Sequence, residues 1–217
     1  MVLEPLFSTA EFDLQAIRGL GAPFMEELAA VYAAMDRQYE KKSQLNGFVC
    51  NGCEDSCCMT RFHHHTVIEF IYLLEGFSTL SPEHQESTQT RAEDVIQQYT
   101  EPAEHGGNQR IMCPLNVDGL CLLYAYRPMI CRLHGIPHVL LRPDGATLQG
   151  TGCHEFEKQR IACDHEARLD RTPFYQQVAA LEKSLRQQCR VTVKIKLTIA
   201  EMIVHFRRQP LPPDEIR

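Results

Sequence analysis

Ten cysteines in 217 residues are the side chains with the most chemistry to offer, and eight of them fall between Cys50 and Cys153. The first group is Cys50-x-x-Cys53-x-x-x-Cys57-Cys58, in the loop-forming run NGFVCNGCEDSCC. The second is Cys113, followed by Pro114 and Leu115, then Cys121 and Cys131, with Cys153 further on. A C-x-x-C loop allows two thiolates to point at one ion, about 2.3 Å from each sulfur. The adjacent side chains of Cys57 and Cys58 diverge. They suit two ions, two corners of a cluster, or one ligand beside one buried thiol. Four thiolates satisfy a tetrahedral zinc or a 4Fe–4S cluster. Eight cysteines exceed one such site, so two centres, or one centre plus spare thiols, are both open.

The steps between these cysteines are 3, 4, 1, 55, 8, 10 and 22 residues. That unevenness fits a cage built from several loops better than a zinc ribbon, which needs two separated pairs. Cys113-Pro114 matches the Cys-Pro step of ferredoxin runs. A radical-SAM pattern fails because Thr60 stands where its third cysteine belongs. The expected metal ligands are therefore Cys50, Cys53, Cys57, Cys58, Cys113, Cys121, Cys131 and Cys153. The expected cofactor is an iron–sulfur cluster, with zinc as the alternative. A thiolate cage is net negative and needs donors or cations around it. Arg61, Arg110, Arg127, Arg132 and His134 stand close enough in sequence to supply them, although each equally fits a solvated surface. Cys163 and Cys189 have no companion cysteines and read as core residues.

The segment Cys113-Pro114-Leu115…Gly119-x-Cys121…Tyr124…Arg127-Pro128-x-x-Cys131-Arg132 follows the first cysteine group and an apolar helix bearing Glu69. Together these resemble the YkgJ-like cysteine-cluster family over roughly residues 50–153. The resemblance implies zinc or iron chelation, a bacterial source, and ligand roles at Cys50, Cys53, Cys57, Cys58, Cys113, Cys121 and Cys131, with Cys153 added. It implies no particular reaction. A similar cysteine cluster occurs in a flagellin lysine methylase, but this chain shows no SAM-binding loop. Three functions follow: an iron–sulfur protein with a redox, sensing or enzymatic role; a structural zinc protein that binds a protein partner; and a metal-handling chaperone.

Other polar groups have simpler readings. His63-His64-His65 reads as a polar turn, since three successive side chains do not readily share an ion. Thr66 and Glu69 form a capping box, which explains Glu69 without a ligand role. Tyr124 and Tyr126 are expected to pack around the site. Cys153-His154 could close a cage. No Ser/His/Asp set, carboxylate pair or phosphate loop stands out.

The elements that must position these groups are mainly helical. Pro23 suits a first helical position, and Phe24, Leu28, Val31 and Met35 recur on one face, so residues 23–42 read as a helix. A second helix follows Thr66 and stops at Gly76; a third runs from Ser81-Pro82 to about Tyr99. Pro128 opens a short turn carrying Cys131, and residues 136–150 read as a hairpin around Pro143-Asp144-Gly145. Two helical signals follow, the second starting at Thr172-Pro173. Val191, Val193, Ile195 and Leu197 alternate with Thr192, Lys194 and Lys196, the period of a half-buried strand. A second capping box, Thr198 and Glu201, opens the last helix. The expected fold is a mainly helical α+β single domain, 1–217, with a loop-built cysteine metal site at 50–153.

Composition bounds the rest. A 44% hydrophobic content supports one sizeable core. The net charge of -6 argues against a nucleic-acid binder, which usually carries a basic face. No run approaches ~18 apolar residues, so no membrane span is expected. The start MVLEPLFSTAEFD lacks a basic region and an apolar core, so no secretory signal is expected. A reducing, cytoplasmic setting follows, in which thiols persist. A disulfide framework is the remaining alternative.

Overall fold

In the computed structural model, residues 14–50, 57–101, 109–159 and 167–208 are described. Helix α1 spans Leu14–Leu45 and carries Pro23 inside it, not at its start. Proline lacks the N–H that would bond to residue 19, and that residue is glycine, which adds no side chain to the crowded turn. The helix stops where Gly47 takes φ 64° and Phe48 N–H reaches back to Ser43 O at 3.0 Å. That is a glycine C-terminal cap.

Helices α2 (Val67–Ser78) and α3 (Pro82–Thr100) follow. The two-stranded hairpin β1 (Asn116–Val117) and β2 (Leu120–Cys121) comes next, then a 3-10 turn at Tyr124–Tyr126 and α4 (Met129–Leu133). Strands β3 (His138–Leu141) and β4 (Thr147–Gly150) form the expected hairpin. Strand β5 (Leu169–Asp170) joins β3 in parallel, giving the order β4-β3-β5. Helix α5 is His154–Gln159, α6 is Thr172–Cys189 and α7 is Ile199–Arg208. The architecture is mainly helical α+β.

Two compact units emerge. One draws on residues 1–25, 58–127 and 182–217. Its core is α2, which buries Val67, Ile68, Phe70, Ile71, Leu73, Leu74 and Phe77, against α7. A helix apolar on every side must be enclosed. Phe77 meets Phe206 edge-on with centroids 5.1 Å apart, and α3 packs on α7. The other unit draws on residues 26–57 and 128–181. Its core includes Leu28, Tyr32, Met35, Phe48, Leu133, Ile136 and Phe156.

Three sequence expectations change here. Thr66 makes no side-chain bond to the α2 backbone; its hydroxyl donates to Glu69 at 2.6 Å instead. The cap comes from Glu182, whose two carboxylate oxygens accept Val67 N–H and Ile68 N–H, each at 2.9 Å. Helix α2 also runs past Gly76, which is there for packing: Tyr126 occupies the space its side chain would fill. Finally, residues 191–196 form no strand. Val191, Ile195 and Leu197 are buried in alternation, but the ladder is a lone antiparallel bridge, His64 with Leu197. The Arg186 guanidinium takes the Val193 carbonyl at 2.6 Å, so a side chain serves where a partner strand would. The Thr198–Glu201 capping box forms as read, with Thr198 N–H on Glu201 at 2.6 Å.

Candidate thiol site

The second cysteine group is set by a tight hairpin. Asp118 (φ 51°) and Gly119 (φ 83°) are both left-handed, the two-residue turn that Asp-Gly favours. The turn places Cys121 opposite Asn116, and Leu122 N–H extends the pairing to Leu115 O at 2.9 Å. Arg91 on α3 fixes the approach by donating to Pro114 O at 2.9 Å. Cys113 N–H then donates to Cys58 O at 2.9 Å, which joins the second cysteine group to the end of the first. Cys58 itself lies in a 3-10 turn, Cys57–Met59.

Burial dominates the electrostatics of these thiols. It pushes Cys113 up to about 12; a Leu115 N–H bond opposes the rise, the charges of Cys121 and Cys58 add to it, and Arg91 opposes it. Cys121 is raised for the same leading reason, with the Leu123 N–H opposing, Cys58 adding and Arg127 opposing. Cys58, Cys113 and Cys121 thus lie within electrostatic reach of one another, and Cys113 and Cys121 are protonated at neutral pH. Tyr99 borders the group. Burial raises its hydroxyl, and Arg61 sits over its ring at 4.1 Å.

The remaining cysteines stand as follows. Cys50 is exposed, Cys57 half-buried, and Cys131 is carried by α4. Cys153 precedes α5 and accepts Phe156 N–H at 3.4 Å. Cys189 ends α6, half-buried, with its thiol raised by burial. Cys53 and Cys163 lie outside the described residues. No disulfide joins two of the described cysteines.

The metal expectation is corrected by this arrangement. Among the described residues no group of three or more His, Cys, Asp or Glu side chains is placed to hold a metal ion. The loop-built metal site, the iron–sulfur cluster and its zinc alternative, the metal partner and the metal-based functions are therefore withdrawn. The physical reason is that cysteine spacing gives loop placement but not the convergence of side chains that a metal needs: Cys50 is exposed, and the Cys153 sulfur accepts Phe156 N–H. No family model, curated protein or solved structure matches the chain. The YkgJ-like resemblance is not upheld.

Two of the expected cations make further contacts. Arg132 is buried against Asp36 at 2.6 Å and lies over the Tyr32 ring at 4.3 Å. Arg127 stacks on Tyr124 at 3.5 Å, and Tyr124 is 64% exposed, not packed inward. Tyr126 does pack, against Tyr72 with centroids 5.1 Å apart. Sequence reasoning missed Arg91 and Tyr99. Arg91 was within reach, since Thr88, Ala92 and Val95 define the buried face of α3 and Arg91 is one turn from Thr88. Among the described residues no helix is long and apolar enough to cross a membrane.

The histidine run has a structural role. His64 is buried, and its backbone exchanges hydrogen bonds with Leu197 at 2.7 and 3.0 Å. Its Nε2 has no hydrogen-bond partner. Burial lowers its pKa below 6.5; Glu69 opposes, while His65 and His63 add to the lowering. The unfolded chain therefore binds this proton more readily than the folded one. Stability from this residue is complete above the unfolded value, about 6.5, and is lost as pH falls below it. His63 and His138 are lowered mainly by burial too and act in the same direction. The urea midpoint should decline from pH 7 to 5, and the decline should be shallower in His64→Leu. Equal slopes in the two proteins would exclude His64 as a source.

Proposed function

We propose that the protein is a thiol-based redox-responsive protein that works through Cys58, Cys113 and Cys121. The observation that carries this reading is the Cys113 N–H bond to Cys58 O at 2.9 Å. A backbone bond makes the two residues neighbours in space, which a disulfide between them requires. Cys121 is a third thiol within electrostatic reach. The chemistry is a two-electron oxidation. Hydrogen peroxide converts one thiol to a sulfenic acid and releases water. The neighbouring sulfur attacks the sulfenic sulfur, a second water leaves, and a disulfide remains. A small dithiol reverses it by exchange.

Burial sets the sensitivity. Attack on peroxide requires thiolate, which is scarce at neutral pH in a thiol raised to about 12. The group therefore responds to sustained oxidant and stays reduced otherwise. This fits work in a reducing compartment such as the cytoplasm. We also read residues 1–217 as one domain, a reading supported by α1 and α6, each of which contributes to both compact units.

The test is peptide mapping after graded peroxide treatment. Cys113 should appear first in a disulfide, to Cys58 or to Cys121, with loss of two hydrogens from the intact mass. Dithiothreitol should restore it. In Cys113→Ser the early disulfide should vanish and sulfenic acid should accumulate on a remaining thiol. An earliest disulfide that lacks Cys113 would sink the proposal.

A further inference from the structure

We infer that the unit of residues 26–57 and 128–181 contains a seat for a small oxyanion, built around the guanidinium of Arg171. Arg171 is only 5% exposed. Its backbone is fixed by the sheet and by α6: its N–H donates to Val139 O at 2.9 Å, and its carbonyl accepts Tyr175 N–H at 3.1 Å. The side chain is anchored at one end. Nη2 donates to Leu133 O, and Tyr175 supplies a side-chain hydrogen bond. Nε has no partner. Among the described residues no carboxylate forms an ion pair with it.

Arg132 in the same unit provides the comparison. It is buried to the same 5%, yet it is matched by the Asp36 carboxylate at 2.6 Å and the face of Tyr32. A guanidinium cannot shed its charge in a protein, so a buried one needs a counter-charge. Arg132 has one and Arg171 does not.

The groups around Arg171 are donors and cations. The Tyr175 and Tyr39 hydroxyls are its electrostatic neighbours. Burial lowers the pKa of His138, Arg171 adds to the lowering and a backbone bond to Ile136 opposes it, while its Nδ1 is buried and has no other partner. His134 and Arg168 act on His138 from further out. Gly135, at φ +112°, makes the arrangement possible, because a Cβ there would stand 2.9 Å from the Tyr39 hydroxyl. The groups come from α1, the segment after α4, β3 and the start of α6. One unpartnered guanidinium N–H and two hydroxyls match the oxygens of phosphate or of a carboxylate, with the His138 ring beside them.

The experiment is thermal unfolding of the full chain, dialysed free of oxyanions and titrated at constant ionic strength. The probes are inorganic phosphate, acetate and chloride. Phosphate or acetate should raise Tm along a saturating curve, and chloride should not. Saturation by phosphate alone identifies a phosphate seat, and saturation by acetate alone a carboxylate seat. His138→Ala and Tyr39→Phe should weaken the apparent affinity at least about ten-fold. Arg171→Met should abolish the response. If Arg171→Met does not fold, the other two variants decide. A rise matched by chloride, no rise with any anion, or undiminished affinity in both His138→Ala and Tyr39→Phe would overturn the proposal.

Discussion

Glu182→Ala is expected to cost about 3–5 kcal/mol of folding stability, read as a lower urea midpoint with an unchanged slope. Glu182 is 8% exposed and caps α2 from α6 through the Val67 and Ile68 N–H groups. It also pairs with Arg186, which in turn holds the Val193 carbonyl. Alanine leaves two helix-start donors without a partner and a largely buried guanidinium without its counter-charge. Each buried unsatisfied donor costs on the order of 1–3 kcal/mol, more when charge is involved. Glu182→Gln keeps the shape but can accept through one oxygen only, so it should fall between wild type and alanine. Thr66→Ala should cost far less, because Thr66 does not cap the helix. A Glu182→Ala loss below about 1 kcal/mol would show that α2 does not depend on this carboxylate.

Gly76→Ala should destabilise by about 1–3 kcal/mol, although alanine is the better helix former by roughly 1 kcal/mol. The new Cβ would lie 2.3 Å from Tyr126 Cγ, 2.5 Å from Cδ2 and 2.7 Å from Cβ. These atoms are near the root of the tyrosine side chain, so the ring cannot swing clear without moving its backbone. Tyr126→Ala creates space, and the double variant should recover most of the loss attributable to Gly76→Ala. A double-mutant cycle with no coupling would mean that the ring does not occupy that space in solution.

The helices were legible because their signals are local. Ser81-Pro82, Thr198 with Glu201, and the apolar spacing of α6 act within a turn or two of chain. The turn residues gave the β3–β4 hairpin for the same reason. What was illegible depends on distant partners. Thr66 with Glu69 has the pattern of a cap, yet a carboxylate 115 residues from Val67 supplies the bond. The stretch after Val191 has strand alternation but lacks neighbouring strands to pair with along its length. Cysteine spacing names sulfur-rich loops without saying which converge. It joined Cys58 to Cys113 only once the backbone was in place. Arg171 had no motif at all; its interest lies in the missing counter-charge.

The unit centred on α2 is assembled from three stretches separated in sequence: residues 1–25, 58–127 and 182–217. During synthesis, every residue of the other unit, ending at Leu181, is made before the last of these stretches appears. Until α7 emerges, α2 lacks part of its cover, and the apolar side that faces α7 is open to solvent or to a chaperone. The backbone bonds between His64 and Leu197 close a loop of more than a hundred residues, an entropic cost met only once Leu197 has been made. A ribosome stalled just short of Glu182 would hold a chain in which one unit has all its sequence and the other lacks its lid.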